Sequence, residues 1–271
     1  MRDSRTVRPG GLAARIRGRR NLIILIGVFI ALGLGAYFEI DSWLTRRELT
    51  MVNPDDIAGQ PTLVRYAIAL GQPAYAANCA GCHGADMKGN HAKGAPNLAD
   101  AIWLYDQGRV SDIERTILYG IRSGLGKTRN VTDMPGLGRT KQLNAEEVRD
   151  VETYIFSLSS KKGEPGAIAR GARLFQDKGN CYDCHGRDAE GVPDYGSPRL
   201  DDTDWLYGGD PDTVYRSIYD GRHGVCPAWI GKLSYATIRG LAVYVYEKSH
   251  PAAAKPTTNA GNPSSGANGA G

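Results

Sequence analysis

At 271 residues the chain has room for two modest domains. Its formal net charge of +4 is unevenly spread: residues 1–20 hold seven arginines against Asp3, and the remainder has 26 basic against 28 acidic residues. That balance excludes a nucleic-acid-binding surface beyond residue 20 and makes the basic excess a signal of topology.

The arginine cluster abuts an uncharged apolar run from Leu22 to Phe38, 17 residues long. This length sits at the lower limit for a helix that spans a bilayer. Positive residues before it place the N-terminus in the cytoplasm and send the rest of the chain outward. A cleaved signal peptide would usually have a shorter apolar core and an Ala-x-Ala site after it, and no such site follows. The run therefore predicts a membrane anchor over 21–39, after a basic cytoplasmic tail over 1–20 and before a linker over 40–60.

Beyond the linker the sequence repeats itself. Gly71 and Tyr75 lead to Asn78-Cys79; Gly171 and Phe175 lead to Asn180-Cys181. Cys79-Ala-Gly-Cys82-His83 is matched by Cys181-Tyr-Asp-Cys184-His185. Then come Pro96-Asn97-Leu98 and Trp103-Leu104-Tyr105, answered by Pro198-Arg199-Leu200 and Trp205-Leu206-Tyr207. Each copy closes on a helical pattern: Asn144 and Glu147 form a capping box before Val148, Val151, Tyr154 and Ile155, and Ser234 precedes Ile238, Leu241, Tyr244 and Val245. No sustained alternation argues for strands, so the class is all-α. The expected units are 61–160 and 167–250, joined by a linker over 161–166 and followed by a disordered Ala/Gly/Pro/Ser/Asn tail over 251–271.

Cys-x-x-Cys-His is the signature of c-type haem attachment. Two thiols add across the vinyl groups, and the adjacent imidazole binds the iron. A zinc site would spread Cys and His over two knuckles, and a thioredoxin-like pair would need a βαβ setting that is missing here. The sequence thus predicts two covalently bound haem c groups, on Cys79, Cys82 and His83, and on Cys181, Cys184 and His185. Trp103, Trp205 and the paired tyrosines are expected to pack the haem pockets.

A low-spin electron-transfer haem needs a second axial ligand. In copy one the expected ligand is Met134, 51 residues after His83 and followed by Pro135-Gly136. Met87 lies four residues past His83, on the proximal side. Aligning Pro135 with Pro227 puts Cys226 at the matching place in copy two, and no methionine follows residue 134. Three readings stand for the second haem: Cys226 as thiolate, His223 three residues earlier, or an open position.

These phrases, with Trp205-Leu-Tyr-Gly-Gly-Asp210, Gly221-Arg-His-Gly-Val225, Leu241-x-x-Tyr-Val-Tyr246 and the anchor, resemble the membrane-bound dihaem cytochrome c subunit (subunit III) of cbb3-type haem–copper oxidases. The resemblance covers roughly residues 60–248. It implies two tandem class I cytochrome c domains after one transmembrane helix, with His83 and His185 proximal and Met134 and residue 226 distal. It implies a single-pass protein of the bacterial inner membrane with periplasmic haem domains. It implies electron transfer from a periplasmic cytochrome c, through a monohaem subunit, to the oxygen-reducing catalytic subunit. The chain departs from the family at Cys226, where members carry methionine, and lacks their Pro-Leu-Pro-x-Trp-Trp stretch near the membrane segment. The residues show no acid/base pair that asks for more than relay, so a non-catalytic electron-transfer subunit is expected. The alternatives are the dihaem cytochrome of a periplasmic dehydrogenase and a thiolate-haem enzyme of the thiosulfate dehydrogenase type.

Overall fold

A computed structural model describes residues 10–129, 133–160 and 162–251. The expected tail, apart from Pro251, lies outside the described residues. Residues 1–51 and 52–271 form two separate units. The first holds α1, Gly10–Met51. Its stretch Ile24–Met51 is long and apolar enough to cross a membrane, with a mean hydropathy of 1.8. The helix runs on to Met51, through more than half of the expected linker. Residues 40–51 contain no Gly or Pro, and the first breaker is Asn53-Pro54, where proline disfavours helical geometry in the residue before it.

In the second unit a 3₁₀ turn, Pro54–Gly59, leads to α2, Pro61–Asn78, and to a single turn α3, Ala80–His83. Then come α4, Val110–Tyr119, and α5, Ala145–Ser160. The second copy supplies α6, Pro165–Gln176, the single turn α7, Tyr182–His185, α8, Pro211–Asp220, and α9, Tyr235–Ser249. Among the described residues there is no sheet, only isolated bridges, as an all-α chain requires. The expected caps form. Asn144 Oδ1 accepts from the Glu146 and Glu147 amides at 2.9 Å each, and Glu147 Oε2 accepts from the Asn144 amide at 2.8 Å. Ser234 Oγ accepts from the Thr237 amide at 3.1 Å.

The helices do not pack copy by copy. α2 packs on α9 and α5 packs on α6, while α4 joins α9 and α8 joins α5. The closing helix of each copy therefore lies on the opening helix of the other. At one crossing Gly71 meets Gly240 backbone to backbone, and a Cβ on Gly71 would collide with the Gly240 carbonyl. Beside it Tyr75 and Tyr244 pack with ring centroids 5.7 Å apart. At the other crossing the pair is Phe175 and Tyr154, edge-on at 5.5 Å. There Arg170 donates to both Asp150 oxygens, at 2.7 and 2.8 Å.

Connection lengths explain this exchange. Only residues 161–164 separate α5 from α6, and so short a joint makes consecutive helices antiparallel neighbours. The 25 residues between α4 and α5 can reach across, as can the 14 between α8 and α9. Where they cross they pair. Ile121 and Cys226 exchange backbone hydrogen bonds of 2.9 and 3.0 Å, and Arg222 and Met134 exchange bonds of 3.0 and 3.2 Å. Since Ile121 and Arg222 occupy matching places in the two copies, as do Cys226 and Met134, the crossing has pseudo-two-fold symmetry. Gly120 and Gly221 precede it with φ of +69° and +79°, and carbonyls of Cys226 and Met134 fill the space where their side chains would stand. A left-handed, Cβ-free residue is needed at both.

Two modules result. The first joins residues 52–129 to 221–250, and the second is the segment 133–220 between them. A buried ion pair ties the first together: Arg239 of α9 donates through Nε to Glu114 of α4 at 2.6 Å, through Nη1 to the Val52 carbonyl at 3.0 Å, and through Nη2 to Tyr235 at 2.8 Å. The second is cored by Leu137, Leu143, Val148, Val151 and Ile155 from copy one, with Phe175, Ala189, Val214 and Ile218 from copy two.

Candidate haem sites

Each attachment loop begins where a helix ends. The Cys79 amide donates to the Tyr75 carbonyl at 2.8 Å, and the single turn after it brings the His83 amide to the Cys79 carbonyl at 3.0 Å. In the second copy the His185 amide reaches the Cys181 carbonyl at 2.9 Å. The loops then close identically. Gly89 and Gly191 donate to the His83 and His185 carbonyls at 2.9 and 2.7 Å, and Leu98 and Leu200 donate to those of Met87 and Ala189 at 2.7 and 2.8 Å. Met87 is buried in this loop.

The imidazoles are oriented by the proline that opens the repeated Pro-x-Leu phrase. His83 Nδ1 lies 3.0 Å from the Pro96 carbonyl, and His185 Nδ1 lies 2.9 Å from the Pro198 carbonyl. A carbonyl can only accept, so Nδ1 carries the hydrogen and Nε2 keeps a lone pair. Burial holds both histidines below the ordinary imidazole range, opposed in part by those carbonyls. A neutral ring with a fixed tautomer is the form that binds a metal. The repeat made these prolines visible in the sequence, but their role shows only in the fold.

Around Cys181, Cys184 and His185 lies a cavity of about 480 Å³, within the usual size of cofactor sites, roughly 300–1,000 Å³. Leu137, Ile155, Leu200, Val214 and Ile218 give it apolar walls, and Trp205 lines it as expected. Met134 lines this same cavity. The sequence paired Met134 with His83; the structure sets it with His185, because the segment carrying it crosses to the other copy. Cys226 moves the opposite way, to the side of Cys79 and Cys82. Burial first, then the charges of Cys226 and Cys82, push the Cys79 thiol up to about 11. Burial and then Cys82 push the Cys226 thiol up to about 11 as well.

His223, the other expected ligand for the second haem, is not among the residues lining that cavity. Its side chain is 61 % exposed, and Nδ1 sits 2.8 Å from Asp133 Oδ1. Arg122 and Arg222, which the sequence reading passed over, do line the cavity. Arg122 Nε donates to the Gly224 carbonyl at 2.5 Å, and the Arg222 guanidinium lies 4.2 Å over the Tyr207 ring.

These residues fit a haem. Thiols, a proximal imidazole and a thioether share one apolar cavity with two guanidiniums suited to propionate carboxylates. In the first module the indole Nε1 of Trp103 is buried with no partner among the described residues. A carboxylate acceptor there would satisfy it.

The cytochrome c family profile matches residues 68–159, and that of "Cytochrome C oxidase, cbb3-type, subunit III" matches residues 166–245. The chain is 40 % identical over 212 residues to the cbb3-type cytochrome c oxidase subunit CcoP of Azospirillum brasilense, covering 76 % of this chain and 70 % of that protein. It is 37 % identical over 201 residues to CcoP of Cereibacter sphaeroides, covering 74 % and 68 %. The chain belongs to the CcoP/FixP family of cbb3-type oxidase subunits. A FixP subunit from Bradyrhizobium sp. strain ORS 278 is 43 % identical over 192 residues, 70 % of this chain and 64 % of that protein. The chain thus spans about two thirds of the length of the relatives it matches.

As a CcoP/FixP member the chain has two cytochrome c domains and carries two covalent haem c groups. Among the described residues it has one helix long and apolar enough to cross a membrane, near the N-terminus.

Proposed function

We propose that this chain relays electrons into a cbb3-type oxygen-reducing oxidase, taking them from a periplasmic cytochrome c and passing them through a monohaem subunit to the catalytic subunit. Family membership supports the complex. The observation that carries the relay is the pair of equivalent attachment loops, each with an imidazole fixed by a proline carbonyl. Cys79, Cys82 and His83 hold one haem and Cys181, Cys184 and His185 the other. Met134 serves as distal ligand to the second, where a neutral thioether favours ferrous iron and raises the potential. The bound haem supplies one-electron chemistry; the protein fixes its position, keeps water from the ring and orients the axial imidazole.

Charge sorts with the packing modules. Residues 133–220 carry 11 basic against 17 acidic residues, whereas 52–129 with 221–250 carry 12 against 8. An acidic module favours encounter with a basic donor and makes the association rate fall with salt. The seven arginines before the span support an orientation with the haem domains outside, in the periplasm.

The test uses the full chain in detergent. A reduced, basic cytochrome c should reduce it in a salt-sensitive reaction, and the oxidase subunits should co-purify with it. Isolation with a dehydrogenase instead, or turnover of thiosulfate by the purified chain, would overturn the relay reading.

A further inference from the structure

We infer that Cys226 is the distal ligand of the haem attached at Cys79 and Cys82, opposite His83, so that the thiolate-bound haem of this chain is the N-terminal one. The inference rests on the two-haem reading above and goes beyond it, because the sequence alone set Cys226 against the other haem.

The crossing carries the argument. Met134 reaches the second site because its backbone pairs with Arg222, and Cys226 pairs in the same reciprocal way with Ile121, the residue matching Arg222. The equivalence continues along both loops. The Leu137 amide donates to the Ile218 carbonyl and the Trp229 amide to the Ile117 carbonyl, each at 3.0 Å. A pseudo-two-fold that delivers a sulfur ligand to His185 delivers one to His83. The pairing of Cys226 with Ile121 sets that sulfur in the module that holds the first attachment motif. Two competing donors are held elsewhere. Met87 is buried in the proximal loop, and His223 is held at the surface by Asp133.

On binding ferric iron Cys226 gives its thiol proton to solvent and donates a sulfur lone pair, and no electron changes hands. An anionic donor stabilises the ferric state relative to a thioether. The N-terminal haem therefore reduces after the haem ligated by Met134.

The experiment combines low-temperature paramagnetic resonance with a potentiometric titration of the full-length holoprotein in detergent. A prior pyridine spectrum should count two haems; fewer would sink the two-haem reading itself. With two present, the expected result is one thiolate-type ferric signal beside one of His/Met type, and two separated reduction waves. Cys226→Met should remove the thiolate signal and bring the lower wave up to the other. Cys79→Ala with Cys82→Ala should abolish the thiolate signal, and Cys181→Ala with Cys184→Ala should leave it. Should one of these double variants fail to fold, the other together with Cys226→Met decides. No thiolate signal in the parent protein, a Cys226→Met spectrum equal to that of the parent, or a thiolate signal lost with the second attachment site would each overturn the inference.

Discussion

Replacing Arg239 by methionine tests the exchanged packing through its energetics. Arg239 and Glu114 are 3 % and 4 % exposed, and their 2.6 Å contact joins the last helix of copy two to a helix of copy one. Methionine keeps much of the volume but leaves the Glu114 carboxylate without its cation. Its second oxygen already lacks a hydrogen-bond partner among the described residues. Stranding one member of a buried ion pair costs about 3–5 kcal/mol, a large share of the roughly 5–15 kcal/mol that holds a domain folded. Hydrogen exchange of the detergent-solubilised protein should then quicken in α2, α4 and α9, while α5, α6 and α8 keep their protection. Changing Glu114 and Arg239 together to leucine removes both charges. It should recover all but about 1–2 kcal/mol, the donors lost to Val52 and Tyr235. A loss below about 1 kcal/mol for Arg239→Met, or deprotection centred on α5 and α6, would refute the packing on which the argument stands.

Two further outcomes follow. Met134→Ala should lower the potential of the haem on Cys181 and Cys184 by a substantial part of the ~0.8 V that axial ligation spans, with the other haem unmoved; a redox titration that resolves both checks this. Glu147 is held below the usual carboxylate range by its hydrogen bond from Lys178, then by the Asn144 amide. A depressed folded value means its contribution is present above the unfolded value, about 4.3, and is lost as pH falls through the lower folded one. Glu147→Gln should therefore flatten the acid limb of the stability profile below about pH 4.3, measured by denaturant melts at successive pH values.

Much of this was legible in the residues. The duplicated phrases marked both attachment loops, the capping box at Asn144 and the serine at 234 marked where the long helices start, and the apolar run marked the anchor. The partners of Met134 and Cys226 were not legible. Local motifs and spacing say which residues fall in a loop, but the two loops have equivalent sequences and equivalent destinations. Assigning each to its own copy is the default that a repeat suggests. What decides otherwise is the brevity of the 161–164 joint, which makes α5 and α6 neighbours, and close contacts such as Gly71 on Gly240 that only the fold reveals. The Glu114–Arg239 pair escaped notice for the same reason, its members lying 125 residues apart.

Cutting the chain between α5 and α6 tests the central claim most directly. Residues 162–165 are exposed and can carry an inserted protease site. Because both flanking helices belong to one module, the two fragments, each with one attached haem, should stay together on size exclusion and keep the spectrum of the intact protein. Separated by denaturant, neither should retain its distal sulfur ligand. Fragments that part under native conditions, each with a complete six-coordinate haem, would contradict the account.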